Sequence, residues 1–179
     1  CLVGSEMCIR DRVVMERMHN FDEELFNDCP DNVDIFGYYQ TPKYFNHIED
    51  ELRDDFSFDE ELRSSCEDFI SEDMISLHIR RGDYVINSEN HFNLPLEYYE
   101  AALKHFDNDR NVIVFSDDSK WCHQQKLFSD DRFIISDNDD NRVDLCLMSL
   151  CNDFIIANST YSWWGAWLSL NENKKVIAP

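Results

Sequence analysis

The chain has 179 residues, of which 43% are hydrophobic and 13% aromatic, a composition that supports one well-packed core and is not typical of a disordered chain. Thirty-seven acidic residues stand against 16 basic ones, for a formal net charge of −21, which argues against binding to nucleic acid or to an anionic membrane surface. Any anionic ligand would therefore need a local basic cluster.

Seven cysteines form an odd set without Cys-x-x-Cys spacing, which is typical neither of a disulfide framework nor of a zinc site. Reduced thiols and a cytoplasmic location are therefore predicted. No apolar run approaches the ~20 residues of a membrane span, and no signal peptide is visible. We expect no transmembrane segment, and peripheral association with the inner face of the membrane stays open.

Both ends of the chain suggest an internal fragment. Residues 1–12 resemble a translated sequencing adapter, so we expect them to make few tertiary contacts. A strand-like run at 176–178 is cut at Pro179, so we expect the second domain to be truncated at its C-terminus.

Residues 13–72 are acidic and mostly helix-like, and are predicted to form an incomplete first domain. A strand is predicted at 33–38, a helix at 44–56, and a further short helix from residue 58. No catalytic cluster is expected here, because acidic runs are usually solvated surfaces.

Residues 73–179 show alternating strands and helices. Strands are predicted at 74–80, 111–116, 133–136, 153–157 and 175–178, and helices at 95–106, 118–128, 143–151 and 161–170. The continuously apolar run at 112–115 is typical of a parallel strand buried on both faces. The alternation predicts an α/β fold with a doubly wound parallel sheet.

The first strand of this domain carries the chain's most informative cations. Its aliphatic and polar residues alternate, so His78 and Arg80 are predicted to share one face. Gly82 is predicted to end the strand, with Asp83 in the loop beyond. Adjacent guanidiniums at Arg80 and Arg81 suit the oxygens of a phosphate or carboxylate ligand. Internal pairing with acidic residues is the alternative, and this stretch alone favours neither.

Three strand ends are predicted to converge, since ligands of doubly wound sheets bind at the carboxyl ends of the strands. These ends carry residues 80–83, 116–118 and 158–160. The last set is either an anion site at a helix N-terminus or a simple N-cap. Asp117 and Asp118 could contact a metal or a nucleotide, the alternative being helix capping by Ser116 or Asp117.

No metal site is predicted. The run at 137–141 opens like a calcium loop, but Arg142 stands where the loop needs glycine and Met148 where it needs glutamate, so we reject it.

Several ordered motifs resemble glycosyltransferase family 11, the α-1,2-fucosyltransferases of bacterial type. They stand at residues 37–45, 78–84 (His-Ile-Arg-Arg-Gly-Asp-Tyr), 94–99, 115–118, 144–149 and 153–166. The likeness spans roughly residues 33–179, and an ordered series of motifs is more specific than any single one.

The resemblance implies a GT-B-like architecture of two Rossmann-like halves. Residues 13–72 would be a partial acceptor-side domain, and residues 73–179 a GDP-sugar-binding domain. The implied reaction is the inverting transfer of L-fucose from GDP-β-L-fucose to the 2-hydroxyl of a galactose-terminated glycan, without a metal or other cofactor. The alternatives are a non-catalytic nucleotide-sugar-binding fragment and a transferase for another GDP-hexose.

The resemblance also implies roles for individual residues. Arg80 would hold the β-phosphate and stabilise GDP as it leaves. His78 and one of Asp117 or Asp118 would contact the nucleoside. The rest of the implied donor-binding set is Arg81, Asn158, Ser159 and Thr160, of which Ser159 and Thr160 would hold the pyrophosphate.

The general base is not identified by any motif. Asp83 and Glu89 are the candidates, and a dissociative transition state would require little base.

Overall fold

The computed structural model describes residues 12–17, 19–71, 73–89 and 91–179. Residues 1–11 of the predicted adapter segment therefore lie outside the described residues. The chain divides into two compact units, Cys1–Ser57 and Phe58–Pro179.

The first unit combines short helices with a two-stranded parallel sheet. Its elements are β1 (Val13–Met15), α1 (Glu23–Asp28), β2 (Asp34–Phe36), two 3₁₀ turns (Pro42–Tyr44 and Asn46–Ile48) and α2 (Glu49–Asp55). β1 pairs in parallel with β2, which lies inside the strand predicted at 33–38. The helix predicted at 44–56 begins as 3₁₀ turns and becomes α-helical only at Glu49.

The second unit alternates strands and helices, as predicted. Its elements are α3 (Glu60–Phe69), β3 (Ile75–Ile79), α4 (Gly82–Ile86), α5 (Leu96–Leu103), β4 (Val112–Ser116), α6 (Ser119–Cys122), a 3₁₀ turn (Lys126–Phe128), β5 (Phe133–Ile135), α7 (Asn141–Leu150), β6 (Asp153–Ile155), α8 (Thr160–Leu168) and β7 (Val176–Ile177). All five predicted strands are present, each slightly shorter than predicted.

The five strands form one parallel sheet in the order β5-β4-β3-β6-β7. The chain moves outward from β3 in one direction and then resumes on its other side with β6, so the predicted doubly wound α/β fold is confirmed. The change of direction lies between β3 and β6, and such switch points are where open α/β sheets bind ligands.

Apolar side chains cover both faces of this sheet. On one face Leu77 and Val114 belong to a buried cluster with Tyr99 of α5. On the other face Ile113 and Phe115 belong to a cluster that also contains residues of α3, α7 and α8. Strand β4 is therefore buried on both sides, as its continuously apolar sequence predicts.

Helix α3 belongs to the second unit, so the division of the chain falls before it and not at residue 72. Cys66 of α3 is 3% exposed and shares a buried cluster with Cys146 and Leu147 of α7. Within the described residues, no helix has the length and apolar character needed to cross a bilayer.

Candidate functional site

A cavity of about 430 Å³ lies at the carboxyl ends of β3, β4 and β5. These strand ends and the helices α6, α7 and α8 supply its walls, which are formed by His78, Arg80, Phe115, Ser116, Asp117, Ser119, Ser136, Asp137, Asn138, Asp139, Asn141, Asp144 and Tyr161. Three predicted site residues thus come together here: His78, Arg80 and Asp117.

His78 is a buried, neutral imidazole in this cavity. It is 4% exposed, and its burial, together with the neighbouring charge of Arg80, lowers its pKa to about 3. The ring lies 5.5 Å from that of Tyr161, and its Nδ1 has no hydrogen-bond partner within the described part of the chain. A buried polar atom without a partner is costly, so Nδ1 is suited to a hydrogen bond with a ligand.

Arg80 is paired internally, the alternative that the sequence left open. Its Nη2 lies 2.7 Å from Asp83 Oδ1, and its Nη1 lies 3.0 Å from Asp117 Oδ2. The side chain is still 33% exposed and lines the cavity. Because a guanidinium has five N–H donors, Arg80 can bind an anion while Asp117 still holds it.

Arg81 has structural partners instead. Its Nε donates to Asp118 Oδ2 at 3.1 Å, and its guanidinium stacks 3.8 Å from the Trp121 ring centroid. Arg81 is not among the described residues that line the cavity. The two adjacent arginines therefore differ in their surroundings: Arg80 faces the cavity and Arg81 packs against α6.

The two aspartates after β4 also have different contacts. Asp117 accepts the Arg81 backbone N–H through Oδ1 at 2.8 Å, while its Oδ2 binds Arg80. Asp118 caps α6 by accepting the Trp121 N–H, and its own N–H donates to Ser116 Oγ. The alternative of helix capping by Ser116 or Asp117 is therefore wrong, because Asp118 is the N-cap. No three His, Cys, Asp or Glu side chains of the described residues form a metal-binding group.

Asp83 lies in a helix, not in the predicted loop. Gly82 starts α4 two residues beyond the end of β3, and Asp83 follows in its first turn, where a carboxylate is favoured by the helix dipole. Asp83 is 57% exposed and within reach of the cavity through Arg80. Glu89, the other candidate base, is exposed in the turn beyond α4 and does not line the cavity.

The third strand end contributes to the cavity through a residue that the sequence did not indicate. Ser159 is the N-cap of α8 and accepts the Tyr161 N–H, and the Asn158 carbonyl accepts the Tyr84 hydroxyl at 3.0 Å. Asn158, Ser159 and Thr160 are absent from the described cavity lining. Tyr161 lines it instead, and its hydroxyl donates to the Asn141 carbonyl at 2.6 Å.

Asp144 is another cavity residue that the sequence did not indicate. It is 8% exposed, and its Oδ1 accepts from Ser136 Oγ at 2.6 Å and from Asn138 Nδ2 at 3.1 Å. Burial raises the pKa of this carboxyl. Its position within the apolar run at 143–148 was the available signal, because a carboxylate on a buried helix face needs a reason.

Comparison with known proteins gives the family. The model of Glycosyl transferase family 11 matches residues 19–179. The chain is 36% identical over 176 residues to the O-antigen biosynthesis glycosyltransferase WbnK of Escherichia coli, covering 87% of this chain and 58% of the relative. It is 31% identical over 202 residues to an alpha-1,2-colitosyltransferase of Escherichia coli, covering 97% of this chain and 69% of that protein.

More distant similarities agree with this assignment. Galactoside alpha-(1,2)-fucosyltransferase 1 of Mus musculus is 21% identical over 177 residues, which cover 85% of this chain and 46% of that one. The crystal structure of POFUT1 in complex with GDP matches with a TM-score of 0.54 at 13% identity, over 82% of this chain and 54% of that chain. That likeness shows the fold alone, and the family model shows that the chain belongs to glycosyl transferase family 11.

Proposed function

We propose that the protein to which this chain belongs transfers L-fucose from GDP-β-L-fucose to the 2-hydroxyl of a galactoside, forming an α-1,2 linkage with inversion. The observation that carries the proposal is the cavity at the sheet's carboxyl edge. The guanidinium of Arg80 and the buried polar side chains of His78 and Asp144 line this cavity, in a chain that belongs to glycosyl transferase family 11. The chain spans 58% of the WbnK relative, so the proposal concerns the whole protein.

The leaving group is the first requirement of this reaction. As the bond from the fucose anomeric carbon to the β-phosphate oxygen breaks, GDP leaves with the electron pair. Arg80 would bind that phosphate with a planar, permanently charged fork. The start of α8, a nine-residue helix, lies beside the cavity through Tyr161 and would add backbone amides at Ser159 and Thr160.

The nucleoside is the second requirement. Guanine presents an N1–H and an N2–H₂ side by side, and a carboxylate accepts both. Asp144 is suited to that task, since Ser136 and Asn138 hold its carboxylate in the cavity wall. His78, kept neutral by burial, can exchange a hydrogen bond with a ribose hydroxyl through Nδ1. In this proposal Asp144 contacts the nucleoside, a role for which the family resemblance implied Asp117 or Asp118.

Proton removal from the acceptor is the third requirement. The galactoside oxygen bonds to the anomeric carbon, and its proton must go to a base. Asp83 is our candidate because it is paired at 2.7 Å with Arg80, the guanidinium that would bind the pyrophosphate in its place. Donor binding would thus release the Asp83 carboxylate to accept the proton.

We propose that the reaction is independent of metal, because Arg80 and the start of α8 would provide the positive charge that a divalent cation supplies elsewhere. Activity of the full-length gene product should survive chelation with EDTA. Loss of activity in EDTA that manganese restores would contradict this part of the proposal and reassign Asp117 and Asp118 as metal ligands.

A related donor is the second candidate. The chain is 31% identical to an alpha-1,2-colitosyltransferase, so colitose in place of fucose is the specific alternative donor sugar that a relative suggests. The deciding experiment incubates the full-length gene product with each GDP-sugar and scores released GDP with and without galactosides. Release only with GDP-fucose and a galactoside supports the first proposal. Release only with GDP-colitose supports the second, and GDP-sugar binding without release in any combination would indicate a non-catalytic protein.

A further inference from the structure

We infer that Gly82 is a positioning residue, which lets Asp117 fix the guanidinium of Arg80; this inference rests on the proposed function. An ideal Cβ built on Gly82 would lie 2.6 Å from Asp117 Oδ2 and 3.2 Å from its Cγ. Real Cβ atoms essentially never come within 3.0 Å of a heavy atom of a residue that is not a chain neighbour. Any larger residue at position 82 must therefore displace that carboxylate.

The displaced oxygen is the one that matters to the cavity. Asp117 Oδ2 lies 3.0 Å from Arg80 Nη1, whereas Oδ1 is held at 2.8 Å by the Arg81 backbone N–H. With Oδ1 fixed, the carboxylate can yield to a new methyl group only by turning about that hydrogen bond. Such a turn moves Oδ2 away from its contact with Arg80.

Backbone conformation does not explain the glycine. The φ of Gly82 lies outside the left-handed region, so an L-residue can adopt its conformation. Gly82 is also the first residue of α4, where alanine is the better helix former. Outside the backbone of its own helix and its two chain neighbours, the three described heavy atoms nearest to the added Cβ all belong to Asp117. The absence of a side chain at position 82 therefore serves the Asp117 carboxylate.

The consequence is a prediction that separates positioning from folding. Gly82→Ala should leave the resistance of the chain to urea unchanged or slightly raised, because it adds a helix former at an otherwise permissive site. It should lower kcat by about 100-fold, the scale expected when a catalytic group is misplaced by about 1 Å, and change KM little. A merely structural glycine would show the opposite pattern, with lost stability and preserved turnover.

The test is a double-mutant cycle of Gly82→Ala and Asp117→Ala in the full-length gene product. If Gly82 acts through Asp117, the double variant should be no slower than Asp117→Ala alone. The matched control is Ile86→Ala in the same helix, a side chain that is 89% exposed and should turn over normally. Multiplying losses in the double variant, or Gly82→Ala turnover within about twofold of the unmodified protein, would overturn the inference.

A second measurement needs no substrate, and so separates this inference from the proposed function. Nitrogen-15 NMR of the arginine side chains reports whether the Arg80 guanidinium rotates freely, with Arg80→Lys assigning the signal. We expect slow rotation in the unmodified protein and faster, matching rotation in Gly82→Ala and Asp117→Ala. An unchanged Arg80 signal in Gly82→Ala would overturn the inference that Gly82 lets Asp117 fix the Arg80 guanidinium. Failure of every GDP-sugar to react would overturn only the proposed function.

Discussion

At the scale of single residues, two neighbouring arginines show why local sequence cannot assign a role. Arg80 and Arg81 are equal in charge and follow the same strand, but the alternation of the strand turns one toward the cavity and the other toward Trp121. Only the tertiary structure, which brings α6 beneath Arg81, separates a ligand-binding cation from a packing one.

Replacing Arg80 by lysine should abolish transfer while preserving the fold. Lysine keeps the positive charge but loses the fork that binds two oxygens at once, so we expect kcat to fall by about 10²-fold or more. Steady-state release of GDP measures the effect. Arg63→Lys is the matched control, since that arginine pairs with Glu67 one turn along the exposed side of α3. Equal turnover in both variants would contradict the assignment.

His78 should make stability depend on pH in the acid range. Its folded pKa is about 3, against an ordinary value of 6.5, so in that interval the unfolded chain binds a proton that the folded chain does not. The stability present above pH ~6.5 is therefore lost as pH falls, by about 1.4 kcal/mol per unit. Asp144, whose pKa burial raises, opposes the trend near pH 4.

Urea unfolding of the unmodified chain and of His78→Gln at pH 7, 6, 5 and 4 tests this linkage. The variant should gain stability relative to the unmodified chain at each step downward, because glutamine cannot take up the proton. Since both proteins contain Asp144, its contribution cancels in the difference. A difference in unfolding free energy that stays constant with pH would show that His78 does not carry the effect.

At the scale of elements, the strands were predictable and several short helices were not. Continuously apolar segments such as β4 can only be buried between two layers, so sequence locates them well. Helix α4 escaped prediction because it has five residues, begins with glycine and leaves Ile86 89% exposed. Its apolar residues do not recur at helical spacing. Its contribution is to hold Asp83 beside Arg80.

The helix predicted at 118–128 is broken by a specific hydrogen bond. Helix α6 ends at Cys122, and a separate 3₁₀ turn occupies Lys126–Phe128. The side chain of Gln125 donates to the Trp121 carbonyl at 2.8 Å, which is the acceptor that the Gln125 backbone would use in a continuous helix. Such local competition is invisible to periodicity, since it depends on one side chain turning back on the main chain.

Helix α7 contributes Asp144 to the wall of the cavity, so a substitution at this position tests the role of the helix in binding. Asp144→Asn keeps the shape but loses the negative acceptor, so GDP should bind about 10- to 100-fold more weakly, as expected for a hydrogen bond to a charged group. Stability should hold or rise, since burial of the carboxylate is itself costly. Calorimetric titration with GDP measures the first effect and urea unfolding the second.

The control for this variant is Asp139→Asn, which changes an exposed carboxylate on the rim of the same cavity. Its GDP affinity should match that of the unmodified protein to within about twofold. Removal of negative charge alone should strengthen the binding of anionic GDP, so equal weakening in both variants would contradict a specific role of Asp144 in recognising guanine.

At the scale of the whole molecule, charge opposes the ligand that we propose. A net charge of −21 repels a nucleoside diphosphate at long range, and Asp83 and Asp117 already neutralise much of the Arg80 charge locally. Affinity must therefore come from short-range contacts inside the cavity. This is the reverse of the steering found in proteins whose binding clefts attract their substrate.

Added salt should consequently speed the association of GDP. Screening shortens the range of the repulsion to roughly 8 Å at physiological ionic strength, so the association rate should rise between low and moderate salt. Stopped-flow mixing with a fluorescent GDP analogue measures it, and uncharged guanosine serves as the control whose rate should not change. An association rate for GDP that falls with salt would mean that local attraction at Arg80 outweighs the global field.

The strand order also determines when each edge of β3 can pair during synthesis of the chain. β3 is bordered by β4 on one side and by β6 on the other, and β6 begins only at Asp153, far downstream of Ile79. At a ribosomal rate of about 5–20 residues per second, one edge of β3 waits several seconds for its neighbour. During that interval the nascent strand carrying His78 offers an open edge to other chains, which marks this step as the one where chaperones would improve the yield.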